Sequence, residues 1–383
     1  VPFSADIFEP TDAALQARLS AINIDSYGKT RNHLHGKVTR LSPYITHGLT
    51  SIPELFANLP ELRITDKLAF EFGWREFFHH VWSREGDRIL SDLRPGLPGV
   101  QYSDHLPEDI REGRTGLWVI DRAVHQLYTT GYLHNHARMW LASYIVHLRK
   151  VHWRAGADWM VGYLLDGDLA SNHLSWQWVA ATFSNKPYLF NAENVARYAP
   201  SEWHCTGSAL DTSYEHLDQI ARTNETIHSA PSLVGAHVPE LLAAPPALIT
   251  SSVSSADRVQ LVHPWMLAEN NFDGVRLGVI HLPFHAQFPW SAQRWQFVTD
   301  RMSSITDAVF VGDLNDLKNL LDPMSHVESI ATLNPGYREW LPGLCTQLID
   351  APRHFANPMK TCRSFSAFWA QCAERPPQRG WHQ

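Results

Sequence analysis

Hydrophobic positions in the first half of the chain recur with a helical period. From Leu68 to Trp82 the pattern predicts an amphipathic helix in which Glu71, Trp74, Arg75 and Phe78 fall at helical spacing. Over 130–150, Asn135, Arg138, Met139, Ala142 and Val146 share one face. A shorter helix is expected from Asp158 to Leu165, stopped by the turn Asp166-Gly167-Asp168. Residues 1–200 thus read as helices joined by loops. Later the period changes. Val259–His263 and Val275–Ile280 read as strands, Ser291–Ile305 as a helix, and Ala308–Val311 as a short buried strand before Gly312-Asp313. Leu314–Leu321 is helical again. Strands alternating with helices predict a parallel sheet. Between the two patterns, 229–256 is rich in Ala, Pro and Ser, with Pro245-Pro246 and the run Ser251–Ser255, and reads as a linker. The expected fold class is an all-helical domain over 1–228 and a small parallel α/β, Rossmann-like domain over 257–383. No internal repeat interrupts either.

Composition supports two domains. The chain has 383 residues, 44% hydrophobic and 19% charged, as in globular proteins. Its 15 Trp need burial and indole partners. A net charge of −7 argues against strong non-specific attraction to nucleic acid, though not against a local basic groove. Cys205, Cys345, Cys362 and Cys372 form no C-x-x-C pair. They are expected as free thiols of a cytoplasmic protein, with an iron–sulfur cluster as the alternative. No apolar run reaches membrane-spanning length, and no basic-then-apolar signal opens the sequence, so no membrane partner is expected; without a C-x-x-C pair no metal is expected either.

Four segments carry candidate chemistry. The first is Tyr27, Arg31-Asn32 and Thr39-Arg40-Leu41-Ser42-Pro43-Tyr44. The second is Glu71-Phe72-Gly73-Trp74-Arg75-Glu76-Phe77. The third runs from Thr130-Gly131 to Arg138-Met139. The fourth is Trp153, Asp166-Gly167-Asp168-Leu169-Ala170-Ser171-Asn172 and Trp176-Gln177-Trp178. In this order and spacing they resemble the FAD-binding domain of DNA photolyases and cryptochromes, over a little under half of the chain.

The resemblance implies FAD as cofactor, and the residue types suit it. A pyrophosphate needs hydroxyls and backbone N–H groups at a helix start. Thr39, Arg40, Leu41 and Ser42, ahead of a helix from Pro43, match that position, with Tyr27 near the phosphates. Thr39 and Ser42 could equally cap that helix. By resemblance Arg138 pairs with Asp166 beside the flavin ring, Gly167 and Asp168 lie against it, and Asn172 faces flavin N5. Alone, Asp-Gly-Asp would read as a polar turn. Trp176 and Trp153 match the first and middle members of an electron-carrying tryptophan chain, and core packing is their other reading. Its outermost member is not evident: the count reaches Val100, with Tyr102 two residues away. Glu71, Trp74, Asn135, Met139 and Trp178 match the residues that receive a flipped-out cyclobutane pyrimidine dimer. The His pair that marks 6-4 enzymes at positions 135 and 139 is absent. His136 stands where an Arg commonly contacts DNA, His173-Leu174-Ser175 replaces Asn-Gly-Gly, and Phe183–Asn191 is not the usual Gly-rich stretch. These departures bear on DNA binding more than on flavin binding.

Only about 26 residues precede Tyr27, too few for the α/β antenna domain that opens typical photolyases. The α/β pattern of 258–375 resembles such a domain at the other end of the chain. An unrelated α/β domain is the alternative, and no second chromophore can be read from it. Three functions follow: light-driven splitting of dimers in single-stranded or flipped-out DNA, a cryptochrome-like photoreceptor with a protein partner, or a flavin enzyme for another small substrate.

Overall fold

The structure, a computed structural model, describes residues 8–230, 235–247, 257–321 and 324–372; the Ser251–Ser255 run of the expected linker lies outside the described residues. The helices begin with α1 (Asp12–Ser20), α2 (Ile24–Thr30), α3 (Ser42–Thr46), α4 (Ile52–Asn58), α5 (Lys67–Glu85) and α6 (Glu108–Arg111). They continue with α7 (Trp118–Thr130), α8 (Asn135–Ser143), α9 (Trp153–Tyr163), α10 (Leu169–Ala180), α11 (Ala192–Tyr198) and α12 (Tyr214–Ala221). Seven strands follow: β1 (Leu241–Leu242), β2 (Arg258–Val262), β3 (Val275–His281), β4 (Trp290–Ser291), β5 (Ala308–Gly312), β6 (His326–Ile330) and β7 (Gln347–Ile349). Among and after them lie α13 (Leu282–Gln287), α14 (Ala292–Ile305), α15 (Lys318–Leu321), α16 (Tyr337–Leu344) and α17 (Phe365–Cys372). The fold is thus helical first and α/β second.

Local chemistry sets several boundaries. Ser51 and Glu54 close a capping box at α4. The helix expected over 158–165 is the second half of α9, whose start the ring of His152 caps by accepting from Arg154 N at 3.3 Å. The helical period over 130–150 becomes α8 followed by a π turn at Tyr144–Leu148. Lys150 lies just beyond it, with φ 53°, and its ammonium donates to the carbonyls of His147, Ile220 and Ala221.

Contacts divide the described chain into two compact units. The first holds Asp25–Val38 and the described part of Asp87–Glu240; the second holds Phe8–Ile24, Thr39–Gly86 and the described residues from Leu241 onward. The units interleave in sequence, whereas the sequence ranges divide the chain at 228 and 257. Within the second unit the reason is visible. Arg301 of α14 donates to both carboxylate oxygens of Asp12 on α1 at 2.9 and 3.0 Å, and His47 Nδ1 lies 2.8 Å from the carbonyl of Pro264. Neither pairing leaves a periodic trace in the sequence.

The second unit contains a five-stranded parallel sheet of order β5-β3-β2-β6-β7. Third, second, first, fourth, fifth in order of appearance is the doubly wound pattern, whose ligand crevice opens where the order reverses, between β2 and β6. Here His263, just past β2, lies 2.8 Å from the carbonyl of Ile330 on β6. Trp265 packs edge-on against Tyr337 and Phe284 at 5.1 and 5.2 Å. The Asp313 carboxylate accepts from Asn315 N at 3.0 Å, capping the turn that follows β5. Among the described residues no helix is long and apolar enough to cross a membrane, and no cluster of His, Cys, Asp and Glu could hold a metal ion. Among the described residues Cys205, Cys345, Cys362 and Cys372 form no disulfide.

Candidate functional site

The candidate residues divide between the two units, and each group has its own chemistry. In the first unit α8, α9 and α10 carry most of them. Arg138, one turn into α8, is fixed at its Nε by the carbonyl of Leu133 (2.8 Å) and at its Nη2 by both oxygens of Asp166 (3.0 and 2.8 Å). Asp166 is buried and Arg138 partly exposed, so the expected pair forms, with its desolvation offset by three hydrogen bonds. Asp168 caps α10, accepting from Ser171 N at 2.7 Å. Asn172 donates from Nδ2 to the carbonyl of Ala157 at 2.9 Å. The Ser171 hydroxyl oxygen is buried without a hydrogen-bond partner. A paired guanidinium, two carboxylates, an amide and an unsatisfied hydroxyl give the donors and acceptors that a flavin ring and its attachments need, so this set fits FAD. Tyr27, on α2, is half-buried.

The tryptophans of this unit are ordered by packing. Trp176 lies against Gly156: a Cβ there would come within 2.3 Å of its ring. Gly156 is three residues beyond Trp153 on α9, so the ring rests on the turn next to Trp153. Both tryptophans are buried. The indole N–H of Trp153 donates to Asp92 at 2.6 Å. Outward, the ring of His152 lies 5.6 Å from Trp153, and Tyr102 lies 6.4 Å from His152. The Tyr102 hydroxyl is buried without a partner, and burial, with Asp92 nearby, pushes it up to about 12. His173 sits between Leu169 O (3.0 Å) and Asp158 Oδ1 (2.9 Å). Burial opposes ionisation of Asp158, yet the bonds from His173 and Arg154 hold its carboxyl below the ordinary range.

Asn135 and Met139 meet one turn apart on α8, with Asn135 Nδ2 3.5 Å from the sulfur. Trp178 is half-buried, its ring 5.9 Å from Tyr188. Burial, then the charges of Arg31 and His33, lower His136 to about 4, so it is neutral at physiological pH and offers no positive charge to a phosphate.

In the second unit, α3 starts at Ser42 rather than Pro43. Its N-cap is the buried Leu41, which offers no side-chain bond, so neither Thr39 nor Ser42 caps it. Thr39 Oγ1 instead accepts from Leu41 N at 3.4 Å. Arg40 has φ 52°, a left-handed conformation that costs a non-glycine residue about 1 kcal/mol or more and that concentrates at functional turns. Glu71 and Trp74 lie half-buried on α5. Trp74 is stacked face to face on Phe365 of α17, centroids 4.2 Å apart and planes 9° from parallel.

Residues to which the sequence assigns no role hold that arrangement. Glu76 is buried and accepts from His354 N (2.7 Å) and Phe355 N (3.2 Å), with Arg353 Nε 3.6 Å away. Burial pushes its carboxyl up to about 7, against the pull of Arg353 and the two backbone N–H groups. His80 accepts from Cys362 N at 2.9 Å and lies 2.6 Å from Asn357 Oδ1. The signal available in sequence was a Glu set among Phe72, Phe77 and Phe78.

A family model described as the FAD binding domain of DNA photolyase matches residues 68–263, just over half of the chain. The deoxyribodipyrimidine photo-lyase of Streptomyces griseus is 36% identical over 159 residues, covering 41% of this chain and 35% of that one. Cryptochrome DASH of Idiomarina loihiensis is 28% identical over 235 residues, covering 57% and 52%. The chain therefore spans between about a third and a half of these curated relatives' length. The crystal structure of Synechocystis sp. PCC6803 cryptochrome aligns with a TM-score of 0.47 at 21% identity, over 60% of this chain and 56% of that one. FAD is the cofactor of the matched domain, and the polar set on α8–α10 falls wholly inside the matched range. The chain belongs to the photolyase/cryptochrome family.

Proposed function

We propose that the protein is a light-driven lyase that splits cyclobutane pyrimidine dimers in DNA, acting on single-stranded DNA or on a dimer flipped out of the duplex. When bound, FAD supplies the light-absorbing, electron-donating group. The observation that carries the reading is the Arg138–Asp166 pair, with Asn172 separately fixed on Ala157. One Asn172 N–H donates to the Ala157 carbonyl, which leaves the amide oxygen to accept a hydrogen bond, as a protonated flavin nitrogen requires.

Each residue then has a task. Tyr27 and the Thr39–Ser42 turn hold the phosphates of the cofactor, and Arg138, Asp166, Gly167, Asp168 and Asn172 hold its ring. Trp176, Trp153 and, through His152, Tyr102 pass electrons inward. The close approach of Trp176 to α9 at Gly156 and the anchoring of Trp153 by Asp92 support that order. Glu71, Trp74, Asn135, Met139 and Trp178 receive the substrate.

The test is repair of a single-stranded oligonucleotide carrying one cyclobutane thymine dimer, by fully reduced protein with and without blue light. Light-dependent recovery of thymine absorbance is the expected result. A second reading, a photoreceptor without repair activity, is favoured by the covering of Trp74 by Phe365. FAD that is bound and reducible, with no repair, would select it.

A further inference from the structure

The α5 face that carries Trp74 is matched by a second helix of the same chain. Phe70, Gly73, Trp74 and Phe77 recur at the spacing of one helical face. Opposite them stand Phe365, Phe368 and Trp369 of α17. Trp369 meets Phe70 at 5.3 Å, Phe368 meets Phe77 at 5.6 Å, and Phe365 stacks on Trp74. Gly73 makes the approach possible, since a Cβ there would lie 2.3 Å from the Trp369 ring.

The contact at Trp74 differs in kind from its neighbours. The rings of Phe77 and Phe78 meet Trp74 at 76° and 44°, as core aromatics commonly do. Among the described residues Phe365 alone lies parallel to Trp74, at 9°. A parallel ring at stacking distance uses the π-face that an unstacked base would use, and an aromatic platform binds any base through that face. Phe365 is also held in place. Behind it the segment from Arg353 to Cys362 is bound to Glu76 and His80 on α5.

We propose that Phe365 is a specificity-determining residue of the substrate site: it occupies the stacking position on Trp74 and so excludes a flipped-out base until it is displaced. The proposal rests on the assignment of Trp74 to substrate binding. A phenyl ring and a pyrimidine compete for one face with interactions of similar strength, and the phenyl ring is tethered. The chain therefore discriminates against weakly stacking bases, and truncating Phe365 relaxes that discrimination.

The experiment measures dark binding, by fluorescence anisotropy at fixed salt, of a single-stranded oligothymidylate carrying one cyclobutane dimer and of its undamaged counterpart. The parent is compared with Phe365→Ala, Phe365→Leu and Phe365→Ala/Trp74→Ala, and flavin content is read by absorbance on each sample. The expected result is at least tenfold tighter binding of the dimer oligonucleotide by Phe365→Ala, a smaller gain in Phe365→Leu, and loss of the gain with Trp74→Ala. Equal affinity in all four proteins, or a gain that survives Trp74→Ala, overturns the proposal. Leu keeps the apolar volume without the planar ring, so if the Ala variant fails to fold, Phe365→Leu decides: no gain there overturns the proposal equally. Absent flavin in the parent would count against the proposed function and leave the affinity comparison readable.

Discussion

Both units lay a tryptophan ring on a helix at a glycine, and they use the contact differently. On α9 the glycine is Gly156 and the ring is Trp176, twenty residues along the chain. On α5 the glycine is Gly73, and the ring is Trp369, from nearly 300 residues away. In the unit of the first contact stand polar groups with directional bonds: Arg138 on Asp166, Trp153 on Asp92, Asn172 on Ala157. Around the second stand aromatic rings, with Trp74 among them. Residues of matching sequence motifs are thus fixed by hydrogen bonds in one place and covered by the protein's own aromatic side chains in the other.

Removing Asp166 should show the contrast most strongly. Asp166→Ala leaves Arg138 facing a vacated carboxylate site, with an expected cost of about 3 kcal/mol and loss of bound FAD. Protein that purifies as yellow as the parent would break the assignment of the polar set.

Next in size is the pH response of the aromatic side. The Glu76 pKa is raised from 4.5 to about 7, so between these values the folded state holds a proton that the unfolded state has lost. Its contribution to stability is complete below pH 4.5 and is lost as pH rises to 7, by roughly 3 kcal/mol at the limit. Urea unfolding of the parent against Glu76→Gln from pH 4.5 to 7.5 should therefore show a steeper decline in the parent. Asp158 and Asp109, whose lowered pKa values act in the opposite sense, are common to both proteins.

Substituting the two glycines sharpens the comparison further. Gly73→Ala and Gly156→Ala each force a ring aside and should each cost about 1–3 kcal/mol. Only Gly156→Ala is expected to alter the rate of flavin photoreduction. Equal kinetic effects would erase the distinction between the units. The smallest effect on stability belongs to Trp176→Phe, which keeps a buried ring. It should retain FAD and slow photoreduction, and unchanged kinetics would exclude Trp176 as the inner donor.

Local pattern made part of this legible. The period of α5 and α8, the Asp166–Asp168 turn and the strands β2, β3 and β5 follow from residues near one another. The Arg138–Asp166 pair came from resemblance, and the geometry supplies its bonds. The strap from Arg353 to Cys372 was invisible because its partners lie on α5, and no period links positions so far apart. β6 and β7 were missed since polar His326, Glu328 and Gln347 interrupt them. Glu328 is partnered across strands: Gln260 Nε2 donates to Glu328 Oε1 at 2.8 Å, and Arg276 Nε to Gln260 Oε1 at 3.1 Å.

The strap has a consequence for biosynthesis. Glu76 and its partner His354 are 278 positions apart. At roughly 5–20 residues per second, a ribosome needs on the order of 15–60 s to deliver the strap after α5 has emerged. For that interval Phe70, Trp74 and Phe77 lack the cover of Phe365, Phe368 and Trp369, and this apolar face of α5 stays open to solvent and to other chains.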